Sequence, residues 1–144
     1  MHRQNAEGEN KMTERAIFFD HIHLVSSDPH AAARWYVEKL GGSITVTVEV
    51  RGAPQVVLDF EGATLIIRGQ RSGEAVLSRQ GLQWGVDHFG FNVRGDLDGY
   101  CAELKRKGVV FTVEPMDFGP NLRIAFLQAP DGVIIELLRR KGSR

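Results

Sequence analysis

Two strand-like segments of this chain open on histidine. His21 begins the run "HIHLV" and His88 begins "HFGFNV", and each follows an aspartate, Asp20 and Asp87. A third residue able to do chemistry, Glu136, sits inside "VIIELL". A lone carboxylate among apolar neighbours is costly unless it is paired or bound to a cation. Two imidazoles and one carboxylate bind a first-row divalent metal and leave positions open for substrate. The plainer alternative makes the histidines hydrogen-bonded strand-start residues and Glu136 an edge carboxylate facing water. Asp-His recurring at the head of two segments, with Glu136 besides, favours the metal set of His21, His88 and Glu136.

His23 lies two residues beyond His21, so strand alternation points both rings to one face, about 6.5–7 Å apart. That spacing is too wide for both to complete one compact coordination sphere. It suits a general acid or base acting on a bound substrate. A polar wall residue is the other reading. Arg68 and Arg123 lie in strands and are candidates for bidentate binding of an anionic substrate group, or else point outward. Trp84, Phe91, Phe118 and Phe126 are candidates for an apolar lining, or for plain core.

The elements that must position these residues are written twice. "DHIHLVSSDPHAAARWYVEKLGG" from Asp20 matches "DHFGFNVRGDLDGYCAELKRKGV" from Asp87: Asp-His, an alternating strand, an acidic turn, and a helix stopped by glycine. In the first copy Asp28 and Pro29 start the helix, Ala32, Tyr36 and Leu40 form its stripe, and Gly41 ends it. In the second, Leu97, Tyr100, Cys101 and Leu104 form the stripe and Gly108 closes it. Strands are expected over 43–50, 54–60 and 63–69, then over 109–113, 122–128 and 133–139, with Pro-Asp-Gly at 130–132 as a tight turn. The order is strand, helix, three strands, twice over. The expected fold is α+β: two βαβββ repeats, 17–69 and 86–139, joined by a crossover at 70–85. They form a curved eight-stranded sheet around a central cleft with helices outside. Whether the repeats pair within one chain or swap between chains is open at this stage.

Bulk properties narrow the partners. With 18 basic and 18 acidic side chains in 144 residues the net charge is zero, which argues against a nucleic-acid or anionic-membrane partner. A small-molecule substrate is the expectation. Cys101, the one cysteine, rules out an internal disulfide and a thiolate zinc site. No apolar run approaches the roughly 18 residues of a membrane span. "MHRQNAEGENKMTER" lacks a signal-peptide core and reads as a disordered tail or cloning remnant over 1–15, with the natural start at Met12. A cytoplasmic homodimer is expected, because two such units leave sheet edges open.

Three stretches, the Asp20 segment, "VDHFGFNV" and "NLRIAFLQAPDGVIIELL", together resemble the vicinal-oxygen-chelate superfamily over about residues 17–140. That superfamily includes glyoxalase I, methylmalonyl-CoA epimerase, extradiol dioxygenases, and fosfomycin- and bleomycin-resistance proteins. The resemblance implies metal ligation by His21, His88 and Glu136, with Fe2+, Mn2+, Zn2+ or Ni2+ as the cation. It implies catalysis on substrates with vicinal oxygens, by dioxygenase-like chemistry or by lyase- or isomerase-like proton transfer. The chain departs from glyoxalase I and the epimerase at the fourth ligand, where it has Ile66. It departs from the dioxygenases and thiol transferases where they have a tyrosine and it has Phe126. The rival expectation is a metal-free protein that sequesters a ligand in the same cleft, like the bleomycin-resistance proteins.

Overall fold

The computed structural model describes residues 16–78 and 80–142, so the tail expected over 1–15 lies outside the described residues. The first repeat forms β1 (His21–Val25), α1 (Pro29–Leu40), β2 (Ser43–Val50), β3 (Ala53–Phe60) and β4 (Ala63–Arg68). The second forms β5 (Phe89–Asn92), α2 (Leu97–Arg106), β6 (Phe111–Asp117), β7 (Leu122–Gln128) and β8 (Ile134–Arg140). The eight strands lie in two four-stranded sheets, ordered β1-β4-β3-β2 and β5-β8-β7-β6. In both, the opening strand runs parallel to the closing one, and the remaining pairs are antiparallel.

Local chemistry sets the element ends. The Asp28 carboxylate accepts the Ala31 amide at 3.0 Å, Pro29 occupies the first turn, and Gly41 leaves the helix at φ 76°. Asp96 caps α2 by accepting the Asp98 amide at 3.1 Å. Each helix then covers one face of its own sheet. Ala32, Ala33 and Tyr36 belong to the same buried cluster as Val56, Leu58, Leu65 and Ile67. Leu97, Cys101 and Leu104 join Ala125, Leu127, Ile135 and Leu137 in it, so one core runs through both repeats. Burying each large aliphatic side chain contributes about 1.5–3 kcal/mol.

The other face of each sheet has no helix. His21, His23 and Val25 alternate with the inward Ile22 and Leu24, and Val46 and Val48 of β2 remain 44% and 43% exposed. These bare faces carry the candidate residues.

The repeats are fastened to each other at the turns. Asp131 sits at φ 61° in the Pro130–Gly132 turn, and its carboxylate accepts the Ser26 hydroxyl (2.5 Å), the Ser27 hydroxyl (2.6 Å) and the Ser27 amide (3.0 Å). Phe60 packs against Phe91 at 4.9 Å between centroids, and Lys39 Nζ donates to the Lys107 carbonyl at 2.7 Å. Partial burial works against ionisation of Asp131, but the serine hydrogen bonds outweigh it and hold the pKa below its usual 3.8. A depressed carboxylate contributes stability above its unfolded pKa and loses it as pH falls through the folded one. Asp131→Ala should therefore cost about 1–2 kcal/mol near neutrality. Urea unfolding should show that cost shrinking at about pH 3, and an equal cost at both pH values would contradict the latch.

Candidate functional site

The second repeat gathers three of the candidate residues, His88, Phe126 and Glu136. β5 pairs with β8 in a register that sets Gly90 beside Glu136, and β7 brings Phe126 to the other side of Glu136. His88, just ahead of β5, turns its Nδ1 to the Asp87 carboxylate at 2.8 Å and its Nε2 to Glu136 Oε2 at 3.2 Å. The Phe126 ring meets the imidazole edge-on at 4.9 Å. Gly90 keeps this place open: a Cβ there would lie 3.2 Å from the Glu136 carbonyl oxygen and 3.4 Å from its Cβ. Two bonds of about 2.1 Å at a tetrahedral angle place their donor atoms about 3.4 Å apart. The His88–Glu136 separation therefore suits two ligands of one cation.

The first repeat presents two more, His21 and His23. His21 Nδ1 lies 2.6 Å from the Asp20 carboxylate, repeating the arrangement at His88. When Nδ1–H is held by a carboxylate, a neutral ring offers its Nε2 lone pair, the pattern of metal-bound histidines. His23 stands beside His21 on the same face, their centroids 5.9 Å apart. β1 and β4 set His23 against Ile66, as β5 and β8 set Gly90 against Glu136. Ile66 is thus the counterpart of Glu136, and the first repeat offers no second carboxylate there. Loss of hydration on the sheet face, then the charges of Arg68, His21 and Arg71, push the His23 pKa below 6.5 and favour a neutral ring.

Among the described residues, no three His, Cys, Asp or Glu side chains converge as a metal cage. His88 and Glu136 meet, with Phe126 against them. His21 belongs to the other sheet with His23. Arg68 closes β4 on the His23 face, its Nη1 2.6 Å from Glu74 of the crossover. Two further candidates, Arg123 and Trp84, stand away from both groups. Arg123 shares the helix-covered face with Ala125 and Leu127, where Asp98 of α2 accepts from its Nε and Nη2 at 2.7 Å each and ties β7 to the helix. Trp84 is fully exposed in the crossover. Cys101 is buried, and burial raises its thiol pKa to about 11. A cavity of about 870 Å³ lies between the β3–β4 turn and β5, bordered by Phe60, Phe91 and Arg94, with neither His21 nor His88 in its lining.

Asp20, Asp87 and Gly90 were not singled out from the sequence as parts of the site. The repeated Asp-His dipeptide carried the signal for the two aspartates. Only the strand register exposes the role of Gly90.

A sequence profile of the Glyoxalase/Bleomycin resistance protein/Dioxygenase superfamily matches residues 18–137. No curated protein matches the sequence. Among solved structures, the chain is similar to a glyoxylase/bleomycin resistance protein/dioxygenase domain from Frankia sp. EAN1pec. There the TM-score is 0.75 at 21% identity, over 90% of this chain and 96% of that one. A glyoxalase family protein from Bacillus cereus gives TM-score 0.74 at 14% identity, over 91% and 99%. The trypanothione-dependent glyoxalase I of Leishmania major gives 0.65 at 21%, over 83% and 84%. No helix among the described residues is long and apolar enough to cross a membrane.

The two carboxylates around His88 have a titration consequence. The Asp87 hydrogen bond, against a smaller opposing effect of burial and with help from Glu136, raises its pKa above 6.5. A raised histidine contributes stability that is complete below its unfolded pKa and is lost as pH rises through the folded value. Asp87→Asn should bring the His88 ring-proton titration, followed by NMR in chelator-treated protein, back toward 6.5. An unmoved titration would show that Asp87 does not hold the ring.

Proposed function

The chain belongs to the glyoxalase/bleomycin resistance protein/dioxygenase superfamily, and from that membership and its two groups of candidate residues we propose a metal-dependent enzyme acting on small molecules with vicinal oxygens. One observation carries the reading. The same Asp-held histidine stands on the bare face of both sheets, and one of the two is 3.2 Å from Glu136. His21, His88 and Glu136 would hold the cation. When bound, a divalent cation supplies Lewis acidity to two adjacent substrate oxygens and stabilises charge developing on them.

The remaining work falls to side chains of the chain. Asp20 and Asp87 orient the two imidazoles. Ile66 leaves the position of a fourth protein ligand vacant, making room for a chelating substrate. His23, biased toward its neutral form, is available to take a proton from a substrate atom beside it and return it elsewhere. This supports proton transfer of the lyase or isomerase kind, with dioxygenase-like ring opening as the other reaction class the donor set suits. Phe126 contributes an apolar wall.

Because His21 is not gathered with His88 and Glu136, the set is completed between chains: His21 from one copy, His88 and Glu136 from a second. Support comes from the two bare sheet faces and from β1 and β5, each of which pairs on one side only. The protein should then be a homodimer in light scattering, binding about one first-row metal ion per chain. His21→Ala and His88→Ala should each lose that metal. An equimolar mixture of the two variants, unfolded and refolded together, should regain part of it, since a mixed dimer retains one intact set. A metal-binding monomer, or no recovery on mixing, would contradict assembly between chains. A wild-type protein that binds no metal would favour the ligand-sequestering alternative.

His23 separates binding from turnover. His23→Ala should keep its metal yet lower turnover by about 10²–10⁴, the usual loss when an acid or base is removed. Loss of metal in that variant, or unchanged turnover, would remove His23 from the role.

A further inference from the structure

Beyond the histidines, the bare face of the first sheet carries a second polar group. Val25, Arg68, Gln55 and Val48 form one row across β1, β4, β3 and β2, adjacent to the row that contains His23. The chain then folds back over this row. Glu74 N–H donates to the Arg71 carbonyl at 3.2 Å across a turn with Gly73 at φ 80°. This returns the Glu74 carboxylate to the sheet. A single oxygen, Oε2, accepts from Arg68 Nη1 at 2.6 Å and from the Arg71 amide at 2.9 Å. Arg71 Nη2 reaches Gln55 Oε1 at 3.3 Å, which lays its side chain over the same row.

A structural pin would account for the Arg68–Glu74 pair alone, but three further features exceed it. Arg71 Nε is buried and has no acceptor among the described residues. Of the Arg68 fork, only Nη1 is engaged among the described residues, by Glu74 and by the Gly69 carbonyl. A cavity of about 530 Å³ opens beside the pair, lined by Val25, Arg68, Glu74, Ala75, Val76 and Leu77. Val76 and Leu77 are 55% and 89% exposed. The unused donors of Arg68, which lines this apolar recess, form the recognition pattern for an organic acid.

We propose that the Arg68 guanidinium and the Arg71 backbone amide form a carboxylate-binding subsite, that Glu74 fills it in the free protein as a tethered stand-in, and that its ligand is an organic acid whose apolar part lies on Val25, Val76 and Leu77. Placed one row from His23, the subsite would anchor the acid group of a substrate whose reacting end lies toward His21. Glu74 is a competitor on a short tether. If it closes the subsite nine times in ten, the apparent affinity for an external acid falls about tenfold. The proposal rests on the bare faces being ligand-binding surfaces. It does not depend on metal, so failure of the metal reading leaves it standing.

Benzoate serves as the probe and benzamide as its uncharged control, titrated by NMR into the chelator-treated full chain. Glu74→Gln, which removes the competing charge at constant size, should tighten benzoate by about tenfold and leave benzamide unchanged. Binding seen only in the variant counts as tightening. Adding Arg68→Leu to Glu74→Gln should abolish the gain. Arg68→Lys in the same background should fold and retain only part of it, because a lysine cannot bind bidentately. Equal tightening of benzamide, no change with Glu74→Gln, no benzoate binding in either protein, or a gain that survives loss of Arg68 would each overturn the proposal.

Discussion

One helix per sheet is the constraint from which the rest of this molecule follows. A four-stranded sheet has two faces, and a single helix can bury only one of them. α1 takes the face with Leu58, Leu65 and Ile67, and α2 takes the face with Ala125, Leu127 and Ile135. Alternation then commits every second residue to the uncovered side. That side keeps partly exposed valines at 25, 46 and 48 and gathers the chain's polar chemistry. An uncovered apolar face costs stability unless something lies on it, and it is also where a small molecule can approach.

The two repeats share a frame but have divided their chemistry. Parallel pairing of first and last strands gives both the same addresses, and different residues occupy them: His23 against Ile66 in one, Gly90 against Glu136 in the other. The electrostatic surroundings differ accordingly. Carboxylates on both sides of His88 favour its charged form, whereas loss of hydration, with the nearby arginines, favours a neutral His23. Equivalent faces thus carry groups of opposite tendency.

Much of this was legible in the residues themselves. Asp28 with Pro29, the glycines at 41 and 108, and the doubled Asp-His segment announce the helices, their ends and the repeat, because caps and stripes depend on neighbours a few residues away. The metal-ligand candidates were legible for the same reason: a doubled histidine and an isolated carboxylate in an apolar strand are local anomalies. "LRIAFLQ", by contrast, is apolar on both faces, so its alternation leaves open which side α2 will cover, and with that whether Arg123 meets ligand or helix. Trp84 lies in the irregular crossover, where no periodicity says what it touches.

Element order, duplication and the candidate residues for binding a cation were readable along the chain, since each depends on short-range sterics, capping and hydrophobic period. How those residues are grouped came from long-range packing. Strand register, a long-range property, set Gly90 beside Glu136 and Arg68 beside Val25. The fold-back of the crossover brought Glu74 to Arg68. The division of the strands into two sheets kept His21 apart from His88 and Glu136. These pairings join residues distant in sequence or across a turn, and their choice is made by packing the whole core rather than by any one segment.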